Sequence, residues 1–277
     1  MRFIRWFIKK NQRLSYHIRR SLPSAWLGED LKLVQDRLVP DLIRQIPGAL
    51  VLDVGGGRRC HFAKHLEPTD AMLIAVDISP EELQLNEDVS HRVVADAVNG
   101  LPFPPNAADL IVSRSVMEHL PNIEGFLAQA SQCLRPGGYF INVFPCRFSP
   151  FSILNRMLPN RIARAILFYI YPTFRGECGF KAFYDRMYFS KVMELLKNHG
   201  FEVIEVRVRY FQSMYYDFFV PFFVISLAYD LLLYFIGARN LAAQLFFVAQ
   251  KSGVLRESGD SGTRFPLDTE QAAPAGR

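Results

Sequence analysis

From Ala49 onward the chain alternates short apolar runs with helical periodicities. The segments ALVLDV (49–54), MLIAVD (72–77), RVVAD (92–96), DLIVS (109–113) and YFINVF (139–144) are apolar runs, each closed by a polar residue, a glycine or a turn. That pattern predicts buried parallel strands separated by helices, an α/β sheet covered on both faces. NIEGFLAQASQCL reads as a helix closed by the RPGG turn at Arg135–Gly138. SKVMELLKNHG (190–200) reads as another, with Ser190 as N-cap and Gly200 as its stop. It leads into the β-branched strand FEVIEVRVRYF, and LAAQLFFVAQK (241–251) reads as the final strand. Beyond it, residues 252–277 are rich in Ser, Gly, Asp, Pro and Ala, a composition that predicts a disordered tail.

Residues 1–48 form a separate N-terminal helical arm in this reading. At 100° per residue Phe3, Ile4, Trp6, Phe7, Ile8, Leu14 and Ile18 fall on one side of a helix over residues 1–20, and seven cations fall on the other. The same pattern suits a helix lying in a bilayer interface and a helix packed on the domain's own core. A second apolar stretch, FFVPFFVISLAYDLLLYFI (218–236), approaches the ~20 residues of a membrane span. Pro221 and Asp230 interrupt it, and a span there would put the last strand across the bilayer from its sheet. An interfacial helix or shallow hairpin, a buried helix and a dimer contact remain as readings.

Charge sharpens this picture. The formal net charge is +5, yet Arg2, Arg5, Lys9, Lys10, Arg13, Arg19 and Arg20 all precede the first acid, Glu29. The basicity therefore belongs to one arm, which argues for a negatively charged surface as partner, and an anionic membrane is the expected one. Because the cations are not grouped around aromatic strand ends, nucleic acid is not expected as a partner. Cys60, Cys133, Cys146 and Cys178 are scattered without metal-ligand spacing, so no metal site is expected and a reducing compartment is implied. Basic residues break any secretory signal, and the expectation is a cytoplasmic protein, peripheral or monotopic on the inner face of a membrane.

The candidate chemistry lies at strand ends. VLDVGGGRR places Asp53, Gly55, Gly56 and Gly57 in the turn after the first strand, where open α/β sheets bind ligands and glycines let backbone approach them. A carboxylate there suits an ammonium-bearing ligand better than a pyrophosphate. Asp77 ends the second strand, in place to accept hydrogen bonds from ribose hydroxyls. Asp96 ends the third, in place to meet an adenine amino group. Each acid alone is also an ordinary cap or turn residue.

VLDVGGG, IAVDIS, ADAVNGLPFPPNAADLIVSRSVMEHL and LRPGGYFINV together resemble class I S-adenosylmethionine-dependent methyltransferases, in particular the broad group that includes ubiquinone-biosynthesis methyltransferases. The resemblance covers residues 49–145 strongly and 190–250 loosely. It implies a Rossmann-like, seven-stranded, mostly parallel sheet with an antiparallel last strand, within a domain spanning 49–251. It implies S-adenosylmethionine as cofactor, with Asp53, Gly55 and Gly57 around the methionine moiety, Asp77 on the ribose, Asp96 and Ala97 near adenine, Arg114 beside cofactor and acceptor, and Val54, Gly56 and Ile78 also among the cofactor-binding residues. Arg59 departs from the group, many members having a further glycine there. SVMEHL (115–120) resembles a metal-holding E-x-x-E-H segment whose leading acid is Ser115 here, so metal is not implied. Glu118 and His119 remain candidate general bases, beside the reading of His119 as a packed loop residue.

Insertions after parallel strands emerge at the active-site rim. Two are expected, over about 145–188 and 212–240. The first carries Arg156, Arg161 and Arg164, and Tyr184, Asp185 and Tyr188 as candidates to line an acceptor pocket, with Tyr184 also a candidate catalytic residue. The function expected is O- or C-methylation of an amphiphilic or lipid-linked small molecule at a membrane surface. Alternatives are a soluble small-molecule methyltransferase whose apolar insertions form a lid or dimer contact, a nucleotide-dependent dehydrogenase, and a non-catalytic membrane-associated protein keeping the fold.

Overall fold

A computed structural model of the chain describes residues 2–172 and 180–253. The expected tail beyond 253 lies outside the described residues, as does Cys178. Seven strands form one sheet in the order β3-β2-β1-β4-β5-β7-β6: β1 Leu50–Val54, β2 Met72–Asp77, β3 His91–Val94, β4 Ala108–Arg114, β5 Leu134–Pro145, β6 Phe201–Arg209 and β7 Gln244–Lys251. Strands β1 to β5 pair in parallel, and β7 runs antiparallel to both of its neighbours. This is the Rossmann-like arrangement expected from the resemblance. It also departs from the all-parallel sixth-strand order that the dehydrogenase alternative requires.

The helices are α1 Arg2–Arg20, α2 Ser24–Leu27, α3 Leu31–Arg44, α4 Pro80–Gln84, α5 Ile123–Cys133, α6 Pro150–Met157, α7 Asn160–Ile170, α8 Phe189–Asn198 and α9 Val220–Ile236. One face of the sheet is covered by α5 and α8, where Phe126, Phe140, Leu195 and Phe247 are buried together. On the other face α3 contributes Leu31, Val39, Leu42 and Ile43 against Val51, Leu110 and Phe246. Thus α3 is packed on the sheet itself.

Two local expectations are corrected. Arg135–Gly138 continue β5 instead of closing a helix, and Gly137, at φ 79°, absorbs the irregularity there. Ser190 sits inside α8, which starts one residue earlier, with Tyr188 as N-cap; its exposed N–H is taken by the side chain of Asn240 at 2.8 Å.

The sheet sets where the insertions leave it. Pro145 of β5 and Arg209 of β6 both stand opposite Gln244 of β7, so both insertions start at the same level of the carboxyl edge. The apolar arc of α1 is divided. Ile18 joins Phe211, Phe223 and Leu227 in a small core, while Ser15 and Asn11 bond the Asp217 carbonyl and the Val220 N–H. Phe3, Trp6 and Leu14 remain exposed, at 72%, 55% and 52%. Helix α9 is similarly two-sided, with Phe223, Leu227 and Asp230 buried and Ile225, Phe235 and Ile236 exposed. Among the described residues no helix is long and apolar enough to cross a membrane.

Candidate active site

Parallel register places Val54, Asp77 and Val94 at one edge, since Val54 pairs with Val76 and Asp77 with Val94. The chain leaves β1 through Gly55, at φ 76°, whose N–H donates to the Val76 carbonyl at 2.7 Å. A Cβ on Gly55 would lie 2.1 Å from Val116 Cγ2, and one on Gly56 would lie 2.9 Å from the Asp53 carbonyl oxygen. The Gly55 backbone is thus packed directly against the Val116 side chain, and only glycine fits there. The bend is braced by Asp77, whose carboxylate accepts the Gly57 N–H at 3.0 Å and the Ser79 N–H at 2.9 Å. Asn86 donates to the Gly56 carbonyl at 3.0 Å. Arg59, the departure from the resembling group, is exposed, and its backbone N–H closes a turn on Gly56.

Asp53 is 8% exposed. Burial pushes its carboxyl up to about 7, against the Cys60 thiol that donates to it and the nearby Arg114 charge. A buried, incompletely compensated carboxyl beside an open glycine bend is a seat for a cation. Ile78, next to Asp77, is 57% exposed, an apolar side chain left open at the same edge. Asp96 lies two residues past β3, and its carboxylate accepts the Val98 N–H at 2.9 Å and the Asn99 amide at 2.7 Å; Ala97 beside it is buried. Asp53 and Asp77 therefore share one bend, while Asp96 shapes the neighbouring strand end.

Arg114 turns toward α3. Its guanidinium ion-pairs with Asp36 and donates to Gln35 at 2.9 Å and to the Lys32 carbonyl at 3.1 Å. Gln35 in turn donates to the Ser113 carbonyl at 2.9 Å. Lys32, Gln35 and Asp36 are site-bordering residues that the linear reading missed. Their signal was two polar groups, Gln35 and Asp36, set into an otherwise apolar helical face, both fully buried here.

The other wall begins at Ser115, which adopts φ 54°, a left-handed conformation that a non-glycine residue holds only under constraint. It carries Val116 onto Gly55 and sends Glu118 inward. Glu118 is 5% exposed, burial pushes its carboxyl up to about 8, and Oε2 has no hydrogen-bond partner among the described residues. Its backbone carbonyl accepts the N–H groups of Phe183 and Tyr184 at 2.7 and 3.1 Å, bringing the first insertion back over the strand ends. Tyr184 is buried, itself at φ 51°, with its hydroxyl 3.5 Å from Asn155 Nδ2. His119 Nδ1 is 3.0 Å from the Lys181 carbonyl, and burial lowers its pKa, which leaves Nε2 as an acceptor 4.0 Å from Glu118 Oε1. Glu118 and His119 thus have their side chains side by side, while Tyr184 joins Glu118 through the main chain and turns its hydroxyl to Asn155. No cluster suited to a metal occurs among the described residues.

Comparison with known proteins agrees with this geometry. A family model described as a methyltransferase domain matches residues 6–206. The chain belongs to that family. Demethylmenaquinone methyltransferase of Tropheryma whipplei is 35% identical over 106 residues, 37% of this chain and 43% of that protein. The mitochondrial arginine hydroxylase NDUFAF5 of Danio rerio is 38% identical over 111 residues, 39% of this chain and 33% of the relative. The chain thus spans less than half the length of these curated relatives. Geranyl diphosphate C-methyltransferase of Streptomyces coelicolor, solved with S-adenosyl-L-homocysteine, shares the fold at a TM-score of 0.50 and 11% identity, over 79% of this chain and 80% of that one. S-adenosylmethionine is the cofactor of the methyltransferase family, and the cradle at Gly55–Gly57, with the buried Asp53 carboxyl, fits such a cationic nucleoside.

Proposed function

We propose that this methyltransferase domain methylates an amphiphilic acceptor that it meets at an anionic membrane surface. The observation that carries the reading is the pairing of a buried, cation-seeking Asp53 with a glycine bend braced by Asp77. When bound, S-adenosylmethionine supplies an electrophilic methyl group on a sulfonium. In this reading Asp53 faces its ammonium group, Asp77 uses its free lone pairs for the ribose hydroxyls, and Ile78, Asp96 and Ala97 border the base. The chain's remaining task is to hold the acceptor in line and exclude water, which the loop 180–187 does by closing on Glu118. Glu118, with His119 next to it, takes the acceptor's proton where the nucleophile is a hydroxyl.

The surface half of the proposal is supported by the convergence of α1, α7 and the start of α9. An apolar groove of about 580 Å³ runs between them, lined by Ile4, Phe7, Ile166, Tyr169, Ile170 and Phe219 among others. Beside it a second groove is bordered by Lys9, Arg13 and His17. Exposed aromatics flanked by cations are the arrangement by which a monotopic helix inserts among acidic headgroups. The lipid quinone named for the Tropheryma whipplei relative is an acceptor of the same character.

Calorimetric titration with S-adenosylmethionine and S-adenosylhomocysteine tests the first half; no saturable binding would remove it. Flotation with phosphatidylglycerol vesicles tests the second, comparing the wild type with the Phe3→Ser/Trp6→Ser variant. The wild type floats and the variant stays in the soluble fraction; equal recovery of both in solution removes the surface reading while leaving the first half intact.

A further inference from the structure

The first insertion returns to the site with two arginines that have no ion-pair partner among the described residues. Arg147 lies two residues past the end of β5. Its Nη1 donates to the Tyr184 carbonyl at 2.7 Å, and its backbone N–H donates to the Met187 carbonyl at 2.7 Å. Arg156, near the end of α6, donates from Nη2 to the Arg147 carbonyl at 3.2 Å. Both side chains are half-buried. Burial, and then the Arg147 charge, lower the pKa of Arg156. Its Nε is buried without a hydrogen-bond partner among the described residues.

Most other half-buried arginines are paired: Arg114 has Asp36, Arg135 has Asp109, Arg186 has Asp185 and Glu124, and Arg207 has Glu205 and Glu29. Arg209 has no ion pair among the described residues, but its Nε donates to the Leu27 carbonyl at 3.3 Å and its guanidinium lies over the Phe211 ring. Among the described residues no carboxylate lies within ion-pair distance of Arg147 or Arg156. Two neighbouring guanidinium groups partly withdrawn from water repel one another, and each has N–H donors suited to a tetrahedral oxyanion. They are held there deliberately, by donors spent on backbone carbonyls.

Their position gives the anion a role. Tyr184 links them to Glu118, since its carbonyl receives Arg147 and its N–H donates to the Glu118 carbonyl. Glu118 lies next to the segment that touches Gly55. The pair is therefore joined through Tyr184 to the segment that carries Glu118.

We propose that Arg147 and Arg156 form an acceptor subsite for a phosphate ester, so that the methylated molecule is an anionic amphiphile anchored by its phosphate while its nucleophile faces Glu118. This deepens the methyl-transfer reading and rests on it. Arg147 and Arg156 are here positioning residues.

The test is isothermal titration of the full chain, loaded with S-adenosylhomocysteine, using decyl phosphate, decanol and inorganic phosphate below any micelle concentration. Decyl phosphate binds the wild type at least tenfold more tightly than decanol. That preference is lost in the Arg147→Gln/Arg156→Gln variant, while Arg156→Lys retains part of it. Measurable binding of inorganic phosphate to the wild type alone identifies the phosphate as the recognised group; binding of decyl phosphate without it shows that the chain is needed as well. Equal affinity for decyl phosphate and decanol, no binding of either phosphate, or an undiminished preference in the double glutamine variant overturns the proposal. Thermal melting and retained S-adenosylhomocysteine binding establish that the variants fold. They also separate the outcomes, because failure of S-adenosylhomocysteine binding in the wild type defeats the underlying function, whereas failure of phosphate selection alone defeats only this subsite.

Discussion

The backbone carbonyl of Glu118 accepts the N–H of Tyr184 at 3.1 Å, joining the segment after β4 to the returning loop of the first insertion. The joint seals Glu118 from water. A carboxyl raised to about 8 by burial is protonated at neutral pH and becomes a base only as pH rises through that value. Turnover of a hydroxyl acceptor is therefore expected to climb from pH 6 and level off above about pH 8. Glu118→Gln is expected to lower kcat by roughly 10²- to 10⁴-fold and to flatten the profile. The folded pKa lies above the ordinary carboxyl value, so the unfolded chain loses its proton first. Glu118 thus erodes stability as pH rises from about 4.5 to 8, and the glutamine variant is expected to melt with a weaker pH dependence over that window. Parallel rate profiles for the two proteins would exclude Glu118 as the base.

Asp53 offers a thermodynamic signature. With its carboxyl near 7 in the free protein, a cationic ligand beside it favours the ionised form. Binding of S-adenosylmethionine at pH 7 should release about half a proton. Calorimetry in buffers of differing ionisation enthalpy reads this as a slope, and Asp53→Asn should abolish it. A zero slope for the wild type would mean that no positive charge is placed against Asp53.

Gly55→Ala meets two obstacles, the φ of 76° and a Cβ contact of 2.1 Å with Val116 Cγ2. Stability should fall by about 1–3 kcal/mol, with loss of S-adenosylhomocysteine affinity. Adding Val116→Ala relieves the 2.1 Å contact, leaving the Cβ at position 116 at 3.3 Å, but not the backbone strain. The double variant should recover part of the stability, and a melt no higher than that of the single variant would show that the two residues are not in register.

Arg114→Ala leaves Asp36, only 3% exposed, without its cation. Removing one partner of a buried pair costs about 3–5 kcal/mol. The expectation is a large fall in melting temperature with S-adenosylhomocysteine affinity changed less than about threefold in the folded protein. A tenfold affinity loss at unchanged stability would instead make Arg114 a direct ligand contact.

The strand ends were legible because buried parallel strands are short apolar runs closed by turn residues, and VLDVGGG and MLIAVD say so locally. The bracing of the bend by Asp77 follows from that register, since the carboxylate is one strand away from Gly57. What escaped linear reading depends on partners far along the chain. Arg114 and Asp36 are 78 residues apart, and which way the arginine turns is decided by where α3 packs. Ser190 had the composition of a cap, yet Asn240 satisfies that helix end from fifty residues away. The N-terminal helix carried one apolar arc in projection, but Asp217 and Val220 claim part of its circumference and leave Phe3, Trp6 and Leu14 outside. Periodicity reports that a face is apolar, and only tertiary docking decides how that face is shared.

Pro145 and Arg209 both stand opposite Gln244. Because β7 is wedged between the strands that feed the two insertions, either loop can be lengthened, recut or exchanged without moving β1, β2 or β3, where the glycine bend sits. If the insertions hold the acceptor as proposed, selection can remodel what is recognised while the donor half stays untouched, and chimeras that swap 146–188 or 210–243 between relatives should transplant acceptor choice.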